Sequence, residues 1–341
     1  MILKNLTCFL FNDLDPSERS SIEPILENLS QFAQIETIWV TEAQRRFFKK
    51  RAQGDFWIVA RDWRRALDFL SVKSYNSGKV FVSILYTPQE EKQLYGLSFQ
   101  PFFSSLPKST TLIVYSPLEY RFFRDIKKIP ESQLKLGSLM MPKRVWQSFP
   151  NRNSGKFQVG TFCDFSMESN INFLLCVAHF VSKQSSQIHF NILGRGPLYN
   201  HFSRMVSALD LNKAVSIIET VSESVVGSLD LFLYAPLRNY HFIPVMIAGA
   251  YQVPVISVEI PGIEDFIVPE KSGILIPSYE IKTMGIKILE LYQEQSRRNE
   301  LGLELNAQLC RSASLNVVTQ QYQNLFFGEE SFNEKNLEKA A

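Results

Sequence analysis

Short apolar runs alternate with helically spaced apolar positions along most of the chain, which predicts strands and helices in turn. Leu3–Phe11 reads as a buried strand, and after Pro16 the residues Ile22, Ile25, Leu26, Leu29 and Phe32 recur at helical spacing. Ile35–Val40, Phe56–Ala60 and Val80–Leu85 read as strands, with helical patterns over Glu42–Ala52 and Asp62–Lys73 between them. The proline- and aromatic-rich stretch Tyr86–Ser109 has no period and reads as a long surface loop, of the kind that often faces a ligand. A strand at Thr111–Tyr115 and a helix around Leu118–Ile126 follow. Residues 142–156, with Pro142, Pro150, Asn151, Asn153, Ser154 and Gly155, mark a linker. The alternation then restarts, with strands at Phe157–Phe162, Ile188–Leu193, Val215–Ile218, Leu229–Tyr234, Val253–Val258 and Gly273–Ile276. Helices are predicted over Glu168–Val181, Leu198–Leu209 and Pro244–Ala250, and near 280–293, 297–310 and 315–326.

Parallel neighbours need a crossover, so this order predicts α/β domains with parallel sheets flanked by helices. The expected division is a first domain over 1–150, a second over 151–327 and a polar tail over 328–341. A chain of 341 residues suits two ordinary cores. With 45% hydrophobic and 21% charged residues it is globular in composition. Apolar runs break well short of the roughly 20 residues that a membrane span needs. Asp13 and Asp15 follow the first apolar patch without a small-residue cleavage site, so no signal peptide is expected. The pair also forms a D-x-D, read here as a helix cap before Pro16. Cys8, Cys163, Cys176 and Cys310 are scattered without metal-ligand or disulfide spacing, which points to reduced thiols and a cytoplasmic home.

Charge is uneven. Residues 1–150 carry 21 Lys and Arg against 15 Asp and Glu, while the remainder is net negative. A basic half suggests an anionic partner there, such as a membrane surface or a phosphorylated acceptor. Arg45, Arg46, Lys49, Lys50 and Arg51, interleaved with Phe47 and Phe48, read either as a contact peripheral to the inner face of a membrane or as a solvated helix face. No nucleic-acid-binding motif is present.

From residue 157 onward the landmarks resemble the donor-binding domain of retaining GT-B glycosyltransferases, the group called family 4 or group 1. They are Val159-Gly160, then Asn191-Ile192-Leu193-Gly194-Arg195-Gly196-Pro197, then Leu229–Leu233 with Pro236. Pro244, Ala248, Ala250 and Val253-Pro254-Val255-Ile256 follow, then Pro261-Gly262-Ile263 through Lys271–Leu275. The resemblance implies two Rossmann-like domains facing across a cleft, with final helices over Arg297–Phe327 that often cross back to the first domain. It implies a nucleotide-sugar donor as substrate, no metal or other cofactor, and a glycan or lipid-linked acceptor. Donor-site positions carried over are Gly160, Thr161, Gly194, Arg195, Gly196, Arg238, Asn239, His241 and Ile247. Independently of the family, a glycine turn from strand to helix lets backbone N–H groups approach a phosphate at the carboxyl end of a parallel sheet; a plain tight turn is the other reading.

Several family residues are replaced. The glutamates that stand with seven residues between them correspond to Asn239 and Ile247, and isoleucine has no acceptor for a ribose hydroxyl. The usual arginine and lysine correspond to Thr161 and to Ser169 or Asn170. Fixed cations on a leaving diphosphate are worth roughly 3–4 kcal/mol per good donor, so their loss would slow the chemistry by orders of magnitude unless Arg195, Arg238 or Lys271 replaces them. Two readings follow: a glycosyltransferase with a divergent donor site, or a non-catalytic GT-B scaffold that binds a partner. A third reading, a Rossmann-type oxidoreductase, fits poorly, since there is no strand–G-x-G-x-x-G–helix unit with a downstream acid.

Overall fold

A computed structural model describes residues 5–11, 19, 22–40, 55–60, 79–84, 109–115, 120–126, 128–141, 155–167, 169–220, 222–237, 242–277 and 279–328. The predicted helices Glu42–Ala52 and Asp62–Lys73, the basic cluster Arg45–Arg51, Asp13 with Asp15, the loop core and most of the linker lie outside them.

Among the described residues the first sheet has six parallel strands: β1 (Asn5–Phe11), β2 (Gln34–Val40), β3 (Asp55–Ala60), β4 (Val80–Ile84), β5 (Thr110–Val114) and β6 (Leu134–Leu136), in the order β2-β1-β3-β4-β5-β6. Phe56, Trp57, Ile58 and Val59 are all buried, as a strand covered on both faces requires. Helix α1 (Glu23–Leu29) seats Ile25, Leu26 and Leu29 in the core. Phe32 falls beyond its end and is 44% exposed, so it does not extend the apolar stripe. The helix expected around Leu118–Ile126 is helical over its described residues 120–126, with a π-type turn at Phe122–Ile126, and the edge strand β6 was not anticipated.

The second sheet also has six parallel strands: β7 (Phe157–Asp164), β8 (Ile188–Arg195), β9 (Val215–Glu219), β10 (Leu231–Tyr234), β11 (Val255–Val258) and β12 (Ile274–Ile276). Their order, β12-β11-β10-β7-β8-β9, is that of a doubly wound dinucleotide-type sheet, and its switch point lies between β7 and β10. Asp230 clamps that junction: its carboxylate accepts the Gln158 N–H at 2.8 Å and its own N–H donates to the Gln158 carbonyl at 2.8 Å. The helices are α2 (Ile171–Ser182), α3 (Tyr199–Ala208), α4 (Ile243–Ala250), α5 (Ile281–Gln293), α6 (Gln295–Ala313) and α7 (Leu315–Phe327). Every residue of α4 is buried.

Helix α7 leaves the second unit and lies on the first sheet beside α1, the crossing that the resemblance implies. Tyr322 and Phe326 pack on Trp57 with ring centroids 4.8 and 5.0 Å away, and Phe326 also meets Phe81 at 4.7 Å. Asn28 on α1 donates to the Thr319 hydroxyl at 3.4 Å. Beneath the rings, the Trp57 indole donates to Ser83 at 2.8 Å and Tyr322 donates to the Tyr115 hydroxyl at 3.2 Å. The four cysteines are free; Cys8 is buried in this region, where burial drives its thiol far above the usual range, and Cys310 is exposed.

Gln252, just past α4, adopts φ 58°, a left-handed conformation that glycine takes at less cost. Gln252→Gly is therefore expected to stabilise the protein by about 0.5–1 kcal/mol. A rise in the urea midpoint with an unchanged slope checks this, and a fall would mean that the side chain packs more favourably than it strains.

Candidate donor crevice at the switch point

Parallel sheets bind ligands beyond the carboxyl ends of their strands, where the strand order reverses. At that end of β7 stand Asp164, Phe165, Ser166, Ser169 and Asn170. Asn170, at φ 55°, precedes α2, and its buried side-chain amide donates to the Ala235 carbonyl after β10 at 3.0 Å, tying the two strand ends together. Ser166 donates to the Asp164 carboxylate at 3.1 Å, and Ser169 donates to it as well. Burial first, then the Asp164 charge, pushes the Cys163 thiol up to about 12, so this cysteine is not poised as a thiolate nucleophile.

The Gly194–Pro197 turn closes against the same loop. Gly194 has φ 147°, and a Cβ there would lie 1.7 Å from the Cys163 carbonyl oxygen. A Cβ on Gly196 would lie 2.6 Å from the Phe165 nitrogen. Phe165 donates to the Arg195 carbonyl at 3.0 Å and accepts from Leu198 N–H at 3.0 Å, while the Gly194 carbonyl accepts from Thr220 at 2.7 Å. Both glycines thus permit close backbone approach between neighbouring strand ends. Arg195 is exposed beside Asp164, its register partner, and forms no ion pair among the described residues.

Other positions fall elsewhere. Gly160 and Thr161 are buried inside β7, with Thr161 about 10 Å short of the strand's carboxyl end at 3.3 Å per residue. Ile247 is 0% exposed in the middle of α4. Arg238, Asn239 and His241 lie outside the described residues. Lys271 precedes β12, at the amino end of the sheet, and pairs with Glu304 at 3.4 Å. It lies at the end of the sheet opposite the crevice.

Tyr279 was not singled out from sequence. Its hydroxyl donates to the Pro236 carbonyl at 2.6 Å, and its ring meets Phe173 edge-on at 5.6 Å, so it bridges the loops after β12 and β10 and the first turn of α2. Half-burial raises its hydroxyl pKa, keeping it a donor. A tyrosine one residue before a helix cap has no sequence signal of its own. Met167, Leu237 and Tyr279, after β7, β10 and β12, stay exposed and give this edge an apolar lip.

The first sheet contributes Arg121, after β5. Its charge acts on Asp265, which lies in the turn after β11, so this loop of the first unit comes near that turn of the second. Burial and the Glu264 charge nevertheless hold the Asp265 carboxyl above its ordinary range. Among the described residues no three His, Cys, Asp or Glu side chains gather as a metal centre, and no helix is long and apolar enough to cross a membrane.

Residues 143–304 match the family described as glycosyl transferases group 1. A curated relative, the poly(ribitol-phosphate) alpha-N-acetylglucosaminyltransferase of Staphylococcus aureus, is 24% identical over 159 residues, 46% of this chain and only 32% of the relative. Among solved structures, S. aureus TarM in complex with fondaparinux, alpha-GlcNAc-glycerol and UDP is similar with a TM-score of 0.68 and 18% identity, over 80% of this chain and 55% of that one. Anabaena HepE in complex with UDP and glucose has a TM-score of 0.73 and 10% identity, over 94% of this chain and 99% of that one.

Proposed function

We propose that this chain, which has the GT-B fold and resembles group 1 glycosyl transferases over residues 143–304, transfers a sugar from a UDP-linked donor to a glycan or polyol acceptor. The observation that carries the reading is the switch-point crevice, where the ends of β7, β8 and β10 are laced together. The UDP-bearing neighbours support the choice of nucleotide. The donor diphosphate would lie over the Gly194–Pro197 turn, with Arg195 as the free cation supplied by β8. Retention of anomeric configuration follows the family pattern.

Without a carboxylate at position 247 the ribose loses one acceptor, so donor affinity should be modest. Calorimetric titration with UDP, UDP-glucose and UDP-N-acetylglucosamine is expected to give micromolar to submillimolar binding of at least one. Arg195→Ala should weaken that binding about tenfold, as removal of a charge-assisted contact does. No binding by any of the three, with no sugar transfer to a glycan panel by mass spectrometry, would leave the non-catalytic scaffold as the remaining reading.

A further inference from the structure

Beyond β5, the chain forms an open recess of about 480 Å³ lined by Tyr120, Arg121, Arg124, Leu134, Lys135 and Leu136. Its size falls within the roughly 300–1,000 Å³ of ligand sites. Three of the six lining side chains are cationic. Arg124 is committed at one end: it donates to the Asp125 carboxylate at 2.8 and 3.0 Å, approaches Glu131 at 3.8 Å, and lies 5.9 Å over the Tyr120 ring. Arg121 and Lys135 are exposed and form no ion pair among the described residues. Lys128 adds a further cation near Asp125, so the acids on this rim are outnumbered. Leu136, 51% exposed on the edge strand, and the Tyr120 ring supply apolar faces between the charges.

We infer that this recess holds an anionic acceptor chain, a phosphate-bearing glycan or polyol, and guides it towards the crevice between the two sheets. Guanidinium and ammonium groups match phosphate oxygens, while a tyrosine ring and a leucine match the C–H faces of a sugar or polyol. Position agrees with the chemistry, since Arg121 lines the recess and is near enough to the turn that carries Asp265 for its charge to act there. The basic balance of residues 1–150 gives the same sign of field at longer range. Calling the bound chain an acceptor rests on the transferase reading above; the binding itself does not. The competing explanation is that Lys135 only guards an edge strand against pairing.

The test titrates three probes into the full chain without nucleotide: a short ribitol-phosphate oligomer, a neutral oligosaccharide of equal length, and inorganic phosphate. The oligomer should bind at least tenfold more tightly than either of the others, and more weakly as salt rises. Arg121→Ala combined with Lys135→Ala should reduce oligomer binding at least tenfold and leave UDP binding in place. Lys135→Glu, an exposed change that should not disturb folding, should reduce it too. Equal binding of the neutral chain, equal binding of free phosphate, or unchanged affinity in both variants would overturn the assignment. If UDP fails to bind while the oligomer behaves as described, the recess stands and the transferase reading falls; the reverse result removes the recess alone.

Discussion

Phe326→Ala is expected to lower the unfolding free energy by about 3–5 kcal/mol, the range for removing a buried phenylalanine. The ring is 2% exposed and lies within 4.7–5.4 Å of the centroids of Phe81, Trp57 and Tyr322. Those partners come from β4, β3 and α7 itself, so the cavity would open where the end of the chain is held against its beginning. Neighbouring groups cannot refill it easily, because Trp57 is held by Ser83 and Tyr322 by Tyr115. The conservative change Tyr322→Phe keeps the ring but leaves the Tyr115 hydroxyl with one partner fewer, and should cost about 1 kcal/mol. Urea unfolding followed by circular dichroism reads the loss, and an exposed change in the same helix, Asn324→Ala, serves as control. A loss below 1 kcal/mol for Phe326→Ala would mean that α7 does not anchor the first sheet.

Gly194→Ala should be nearly as damaging, by about 3 kcal/mol or more, for a different reason. The backbone conformation at φ 147° is one that L side chains rarely adopt, and the added methyl would sit 1.7 Å from the Cys163 carbonyl oxygen. Backbone must move, and rotating a side chain cannot relieve the contact. The shift would pass to Thr220, which donates to the Gly194 carbonyl, and to Arg195. The variant should therefore also lose UDP affinity under conditions where it stays folded, checked by circular dichroism alongside calorimetry. A wild-type urea midpoint would show that this turn is looser than its contacts indicate.

Much of the second unit was legible because its strands are buried on both faces. Leu231–Tyr234 is apolar at every position and Val255–Val258 at every position but the buried Ser257, and the turn residues between elements break the pattern clearly. Boundaries shifted where one residue's conformation decides them. The helix expected from Glu168 begins at Ile171, because Asn170 takes a left-handed turn to reach Ala235. The three-residue strand β6 is too short to show a period. In the crevice, the Gly194–Pro197 landmark marked a real strand end. The same landmark logic placed Gly160 and Thr161 by motif, whereas the strand continues to Asp164 and buries both.

The sequence by itself determined two parallel-sheet units, since continuous apolar strands separated by helix-period segments admit few other ways to bury themselves. It also determined which family residues are replaced, because identity at a position needs no coordinates. Only the tertiary structure decided that Phe326 closes over Trp57, that Lys271 lies at the far end of its sheet, and that Arg121, Lys135 and Tyr120 share one recess. Each depends on strand order and on contacts between residues distant along the chain, and a local pattern of apolar and polar positions carries no record of those.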